Sequence, residues 1–181
     1  MKRFGLVLLA VMALTITATP AMAQGSLRYG VSAGLLMPMG DYNTADKLGW
    51  VAGAGVTYWL AGQPIGIRGD VSYSSTSHDG VGATGSTKLI GGMASVVYAL
   101  NPASAPARIM LTGGVGFYNI DFGGGTPKQS KLGFGGGAAV AFKLGTGSTR
   151  LVVGTRYTSV STDGTSRLNF LPVTVGLSFG K

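Results

Sequence analysis

The chain has 181 residues, of which 45% are hydrophobic and 11% charged, with 32 glycines, one histidine, no cysteine and a formal net charge of +8. This length holds one domain behind a leader, and the missing cysteine excludes a disulfide-stapled secreted fold. The basic residues are scattered and form no recognition motif, which argues against a nucleic-acid partner.

The chain opens on a leader. Lys2 and Arg3 are positive, Phe4 to Ile16 is apolar apart from Thr15, Pro20 breaks the run, and Ala21-Met22-Ala23 supplies small residues at a cleavage position. Residues 1–23 read as a signal peptide cut after Ala23, since an uncleaved spanning helix needs about 20 apolar residues. The mature chain is 24–181, and loss of Lys2 and Arg3 takes its charge from +8 to +6.

Eight stretches of period-two alternation follow, each predicting a strand with one apolar face. In the first, Leu27 to Met37, Leu27, Tyr29, Val31, Ala33 and Leu35 oppose Arg28, Gly30, Ser32 and Gly34. The second, Trp50 to Leu60, puts Trp50, Ala52, Ala54, Val56, Tyr58 and Leu60 together. In the third, Ile65 to Ser74, Ile65, Ile67, Val71 and Tyr73 oppose Arg68, Asp70, Ser72 and Ser74. The fourth, Thr87 to Leu100, alternates badly, and its register is left open. The fifth runs from Arg108 to Asn119 and the sixth from Lys131 to Leu144. In the seventh, Thr149 to Thr158, Leu151, Val153 and Tyr157 oppose Arg150, Gly154 and Arg156. The eighth, Arg167 to Phe179, sets Leu171, Val173, Val175, Leu177 and Phe179 against Thr174, Gly176 and Ser178.

The connections alternate between long and short. Pro38 to Gly49, Ser75 to Ser86, Ile120 to Ser130 and Ser159 to Ser166 are longer and polar, whereas Ala61 to Pro64, Asn101 to Ala107 and Gly145 to Ser148 are short and rich in turn residues. Aromatic residues gather near the strand ends. Tyr29, Tyr58, Trp59, Tyr98, Phe142 and Phe179 lie toward the short turns; Trp50, Tyr73, Phe117, Tyr118, Phe134, Tyr157 and Phe170 lie toward the long loops. Strand centres hold Gly, Ala, Val and Leu. Two aromatic girdles around an aliphatic band, with asymmetric loops, predict an all-β fold: an eight-stranded up-and-down antiparallel transmembrane β-barrel in a bacterial outer membrane.

The leader ending in Ala21-Met22-Ala23, the Gly-rich alternation of Gly113-Gly114-Val115-Gly116-Phe117 and the closing Pro172-Val173-Thr174-Val175-Gly176-Leu177-Ser178-Phe179 resemble the small outer-membrane β-barrel family, OmpA/OmpX-like. The resemblance spans the mature chain. It implies a C-terminal assembly signal at Gly176 and Phe179, read by the barrel-assembly machinery, although Gly180 and Lys181 follow the aromatic residue where the family usually ends on it. Expected partners are outer-membrane lipid and lipopolysaccharide, with the barrel a monomer and no cofactor.

Candidate chemistry is sparse. His78 stands between Ser77 and Asp79 in a long loop, and a hydrolase would need it to meet a nucleophile and an acid in space. Asp41, Asp46, Asp79, Asp121 and Asp163 read as isolated turn residues without metal-ligand spacing. Gly133 to Ala138 fits a dinucleotide fingerprint by letter alone, with no helix pattern after it. Arg68, Asp70 and Arg156 fall on inward faces and are expected to form a lumen ion-pair network, with Arg28 and Arg150 on the same side. The expected role is that of a non-enzymatic envelope protein. A lipid-modifying enzyme and a narrow channel for small solutes or anions remain open alternatives.

The leader makes a direct prediction. Intact-mass measurement of protein recovered from outer membranes should give a chain starting at Gln24; a mass retaining Met1 to Ala23 contradicts the cleavage site.

Overall fold

In a computed structural model, the structure describes residues 25–40, 42–43, 46–78, 85–123, 127–162 and 167–180. The leader, Asp41, Asp79 and Asp163 lie outside the described residues. Eight strands run in chain order: β1 (Ser26–Met39), β2 (Gly49–Trp59), β3 (Ile65–Ser77), β4 (Ser86–Ala99), β5 (Ala107–Asp121), β6 (Gln129–Lys143), β7 (Arg150–Ser161) and β8 (Arg167–Phe179). Each pairs antiparallel with its neighbours, and β1 pairs with β8, so the sheet closes on itself as an eight-stranded all-β barrel.

Alternation sets what faces where. Most large apolar side chains point outward and stay uncovered, with Phe117 69% and Val71 60% exposed, while Arg28, Arg68, Asp70 and Arg156 point inward. A water-soluble protein does the reverse. A continuous apolar outer wall belongs in hydrocarbon, where only helices and closed barrels satisfy every backbone group. Among the described residues no helix is long and apolar enough to cross a membrane; the apolar outer wall belongs to the strands.

The structure decides the register of β4. Lys88, Ile90, Gly92, Ala94, Val96 and Tyr98 face out; Leu89, Gly91, Met93, Ser95, Val97 and Ala99 face in. The alternation was obscured because Leu89, Met93 and Val97 are apolar residues of the interior rather than of the lipid face.

The girdles form with three corrections. Tyr29 stacks on Phe179 at 6.3 Å at the short-turn end, and Trp50 meets Tyr73 at 5.3 Å at the long-loop end, all four facing out. Trp59, Tyr118 and Phe170 instead point inward and are buried. Each sits one residue off the outward parity of its strand, so closeness to a strand end did not make it an interfacial residue.

The ring is narrow, and its strands approach closely. A Cβ built on Gly137 would lie 2.1 Å from the Thr155 carbonyl, and one on Gly133 2.9 Å from the Tyr118 ring. Gly133, Gly135 and Gly137 of the nucleotide-like run are therefore packing residues of β6. Pro172 interrupts one ladder: the β7–β8 register passes from Thr155↔Val173 to Thr158↔Phe170 without pairing Arg156 to Pro172 or Tyr157 to Leu171. Proline has no N–H to give.

Outward register gives a prediction. Val153→Arg or Val175→Arg should cost about 2–4 kcal/mol in urea unfolding from phospholipid vesicles, while Thr146→Arg, in the exposed β6–β7 turn, should stay within about 0.5 kcal/mol of the parent. Equal losses at the three sites would overturn the lipid-facing assignment.

Candidate functional site in the barrel lumen

Inward side chains divide the lumen into levels. At the long-loop end, Asp46 is 3% exposed and accepts hydrogen bonds from Thr76 Oγ1 at 2.8 Å and Thr87 Oγ1 at 3.1 Å. With the Thr76 proton directed at Asp46, the Tyr42 hydroxyl donates to Thr76 at 2.8 Å. Burial pushes the Tyr42 phenol well above its ordinary pKa. The His78 Nε2 lies 3.2 Å from Thr87 Oγ1, whose proton also goes to Asp46, so Nε2–H is the donor. Asp46 is thus no solvated turn residue, and half-buried His78 is not an isolated loop side chain. Their backbones form an antiparallel bridge that folds the first long loop over the barrel rim.

Beneath this belt lies an apolar plug. Leu36, Val51, Leu89, Met93, Tyr118, Ile120, Val160, Leu168 and Phe170 pack as one buried cluster, with Tyr118 and Phe170 edge to face at 5.9 Å. Ile120 and Val160 have no exposed surface.

Below the plug, β3 and β7 bring Arg68, Asp70 and Arg156 together. Arg156 donates from one terminal nitrogen to Asp70 Oδ1 at 3.0 Å and from the other to Oδ2 at 3.4 Å, and Arg68 Nε donates to Oδ2 at 3.3 Å. Asp70 and Arg156 side chains are 14% and 19% exposed; Arg68, at 33%, is more open to water. The pairing spans the barrel, because β3 and β7 are not neighbours in the sheet.

Arg28 and Arg150 stand apart from that network, at the short-turn end. Arg28 donates to Ser178 Oγ and to the carbonyls of Ser178 and Gly180, each at 3.2 Å, and also to the Ser148 carbonyl. Arg150 bonds the carbonyls of Ala103 and Ala105 at 2.5 and 3.4 Å. The sequence reading missed Arg108, whose guanidinium carbon sits 3.7 Å from the centre of the Trp59 ring. Its parity with Met110 and Thr112, opposite Ile109 and Leu111, was the available signal. Between plug and arginines the small residues Gly30, Ser32, Gly55, Ala139 and Gly154 leave a cavity of about 190 Å³. The lumen of an eight-stranded barrel is here not completely filled, contrary to the simplest expectation. Gly176 faces this lumen, where a Cβ would lie 2.2 Å from the Val31 carbonyl, and Phe179 faces out. No group of three His, Asp or Glu among the described residues could hold a metal ion.

With this closed barrel in view, the family comparison is decisive: a model of the outer membrane protein beta-barrel domain matches residues 6–179. The chain belongs to that family. It is similar in fold to a major outer membrane protein of Thermus thermophilus, with 14% identity, a TM-score of 0.59, and 88% of this chain and 100% of that chain covered. OprG of Pseudomonas aeruginosa matches at 12% identity and TM-score 0.59, over 88% of this chain and 96% of its own. The outer membrane enzyme PagL matches at 10% identity and TM-score 0.52, over 84% of this chain and 98% of its own. At these identities the likeness is one of fold. No curated protein matches the chain.

The lumen network makes a prediction. Asp70→Ala strands two guanidiniums and should lower unfolding stability by about 3 kcal/mol, toward the lower end for a broken buried pair because Arg68 reaches water. Urea titration in vesicles measures it. A variant as stable as its parent would show that the network contributes nothing to holding the barrel.

Proposed function

We propose that this outer-membrane barrel is a non-enzymatic, non-conducting envelope protein, monomeric in the bilayer, that acts structurally or through its surface-exposed loops. The observation that supports this reading is the apolar plug: Leu36, Tyr118, Ile120, Val160 and Phe170 belong to one buried cluster inside the barrel, beneath the hydrogen-bonded Asp46 belt. A cluster of buried apolar side chains opposes the passage of hydrated ions, which would have to shed water without replacement ligands. Orientation follows the family pattern of long loops outside and short turns in the periplasm. Lipopolysaccharide and outer-membrane lipid are then the surroundings of the outward face, and the assembly machinery is the proposed reader of Gly176 and Phe179.

The enzyme alternative is weighed against the His78 geometry. A nucleophile needs its hydroxyl proton drawn toward an imidazole that an acid orients. Here the Thr87 hydroxyl stands between His78 and Asp46 and gives its proton to the carboxylate. Thr87 also has no exposed surface on which a substrate could land. Both features favour a structural role for the group.

Planar bilayers test the closed state. The parent should show no steady large conductance. The double variant Tyr118→Ala, Phe170→Ala, which hollows the plug, should show openings that the parent lacks. A large stable conductance of the parent would refute the reading and promote the channel alternative.

A further inference from the structure

The network around Asp70 leaves three lumen arginines unaccounted for. The charged residues lining the cavity are Arg28, Arg68, Arg108, Arg150, Arg156 and one acid, Asp70, which Arg68 and Arg156 already occupy. No carboxylate among the described residues pairs with Arg28, Arg108 or Arg150, and the three guanidiniums repel one another. Arg28 and Arg150 bond backbone carbonyls of the short turns, which fixes their direction without neutralising them.

Arg108 is the telling member. The residue is 8% exposed, and its Nε is buried without a hydrogen-bond partner. The Thr112 hydroxyl, further along the same inward face and lining the same cavity, is also buried without one. The Trp59 ring covers a face of the guanidinium, and Nε on its edge has no acceptor. A buried cation of this kind is expensive unless a counter-charge reaches it. The donors that line this end are guanidinium and hydroxyl groups.

We propose that the short-turn end of the lumen binds a small, multiply charged oxyanion of the phosphate or sulfate class. Arg108 Nε supplies the unspent donor, and Arg28 and Arg150 supply the field. Guanidinium edges match the spacing of oxygens on such an ion and bind it in pairs. The cavity of about 190 Å³ has room, since a single water needs only about 10–15 Å³ of the same measure. The plug makes the site a blind cup entered from the short-turn side, where Arg28 and Arg150 are half-exposed. Two sources could present this chemistry: the free ion, or the phosphodiester of a lipid headgroup bending into the barrel mouth.

The test uses the full mature chain folded in phosphatidylcholine nanodiscs, titrated calorimetrically with inorganic phosphate and with sulfate against chloride at fixed ionic strength. Saturable phosphate or sulfate binding is expected, weakened at least tenfold by Arg108→Met, which keeps a stem on Trp59 without the charge. Lys143→Met, an exposed residue at the same end, should bind as the parent does. Melting curves separate binding from structure. Without phosphate, Arg108→Met should melt no lower than the parent, because removing it relieves repulsion; phosphate should raise the parent's transition and not the variant's. Where Arg108→Met does not fold, Arg108→Lys serves, with binding expected to weaken. Phosphatidylglycerol nanodiscs assign the source: stabilisation by that lipid together with loss of phosphate binding identifies the headgroup, and unchanged phosphate binding identifies the free ion. Absence of any saturable phosphate or sulfate binding in neutral lipid, with no effect of phosphatidylglycerol, overturns the proposal. So does an Arg108→Met protein that binds as the parent does, or one that melts lower by the same amount with and without phosphate.

Discussion

The pairing of β1 with β8 is the contact on which the molecule depends. Without it the outer strands would each leave a row of unpaired backbone groups facing hydrocarbon, and an open sheet has no means of satisfying them there. Closure with eight strands then fixes a tight circumference. Tightness explains why β6 carries Gly133, Gly135 and Gly137 where its neighbour approaches, and why the interior accepts only a few large side chains. Outside, the same alternation presents Val, Leu, Ile and aromatic rings to lipid. One backbone requirement thus sets both the composition of the wall and the scarcity of space within it.

That scarce space is graded along the barrel axis. At the long-loop rim Asp46 is held by two threonine hydroxyls. The plug beneath them is apolar. Next comes a charge pair that spans the ring between β3 and β7, ties non-adjacent strands together and resists ovalisation of the barrel. The last level carries positive charge held in place by turn carbonyls. Among the described residues the two ends of the lumen are therefore chemically unlike, one built around a hydrogen-bonded carboxylate, the other lined by arginines.

Strand count, closure and most outward faces were legible in the sequence, because period-two alternation survives wherever the inward residues are small or polar. β1, β3 and β8 are of this kind. β4 was not, because the plug draws Leu89, Met93 and Val97 inward and makes both of its faces apolar. Trp59, Tyr118 and Phe170 misled for a related reason: an aromatic ring near a strand end suits a lipid interface and a lumen equally, and only its parity separates the two. Inward parity also placed Arg68, Asp70 and Arg156 on one side of the wall, but the contact across the ring follows from closure and not from any local pattern. Asp46 was illegible because its partners come from β3 and β4, more than one connection away. Arg108 was legible in principle, through its place opposite Ile109 and Leu111.

The gap left by Pro172 gives the barrel a seam. Every other strand pair is stitched by an unbroken ladder, whereas β7 and β8 lack two consecutive pairings, beside the arginine that crosses the lumen to Asp70. Opening of a sheet begins where the fewest hydrogen bonds must break together. Amide exchange around Arg156 and Tyr157 should accordingly outpace that of the matching residues in β3. The wall is then not uniformly stiff: its most compliant line runs past the charged tie that spans the ring, which acts as a cross-brace at the place where the staves are least firmly joined.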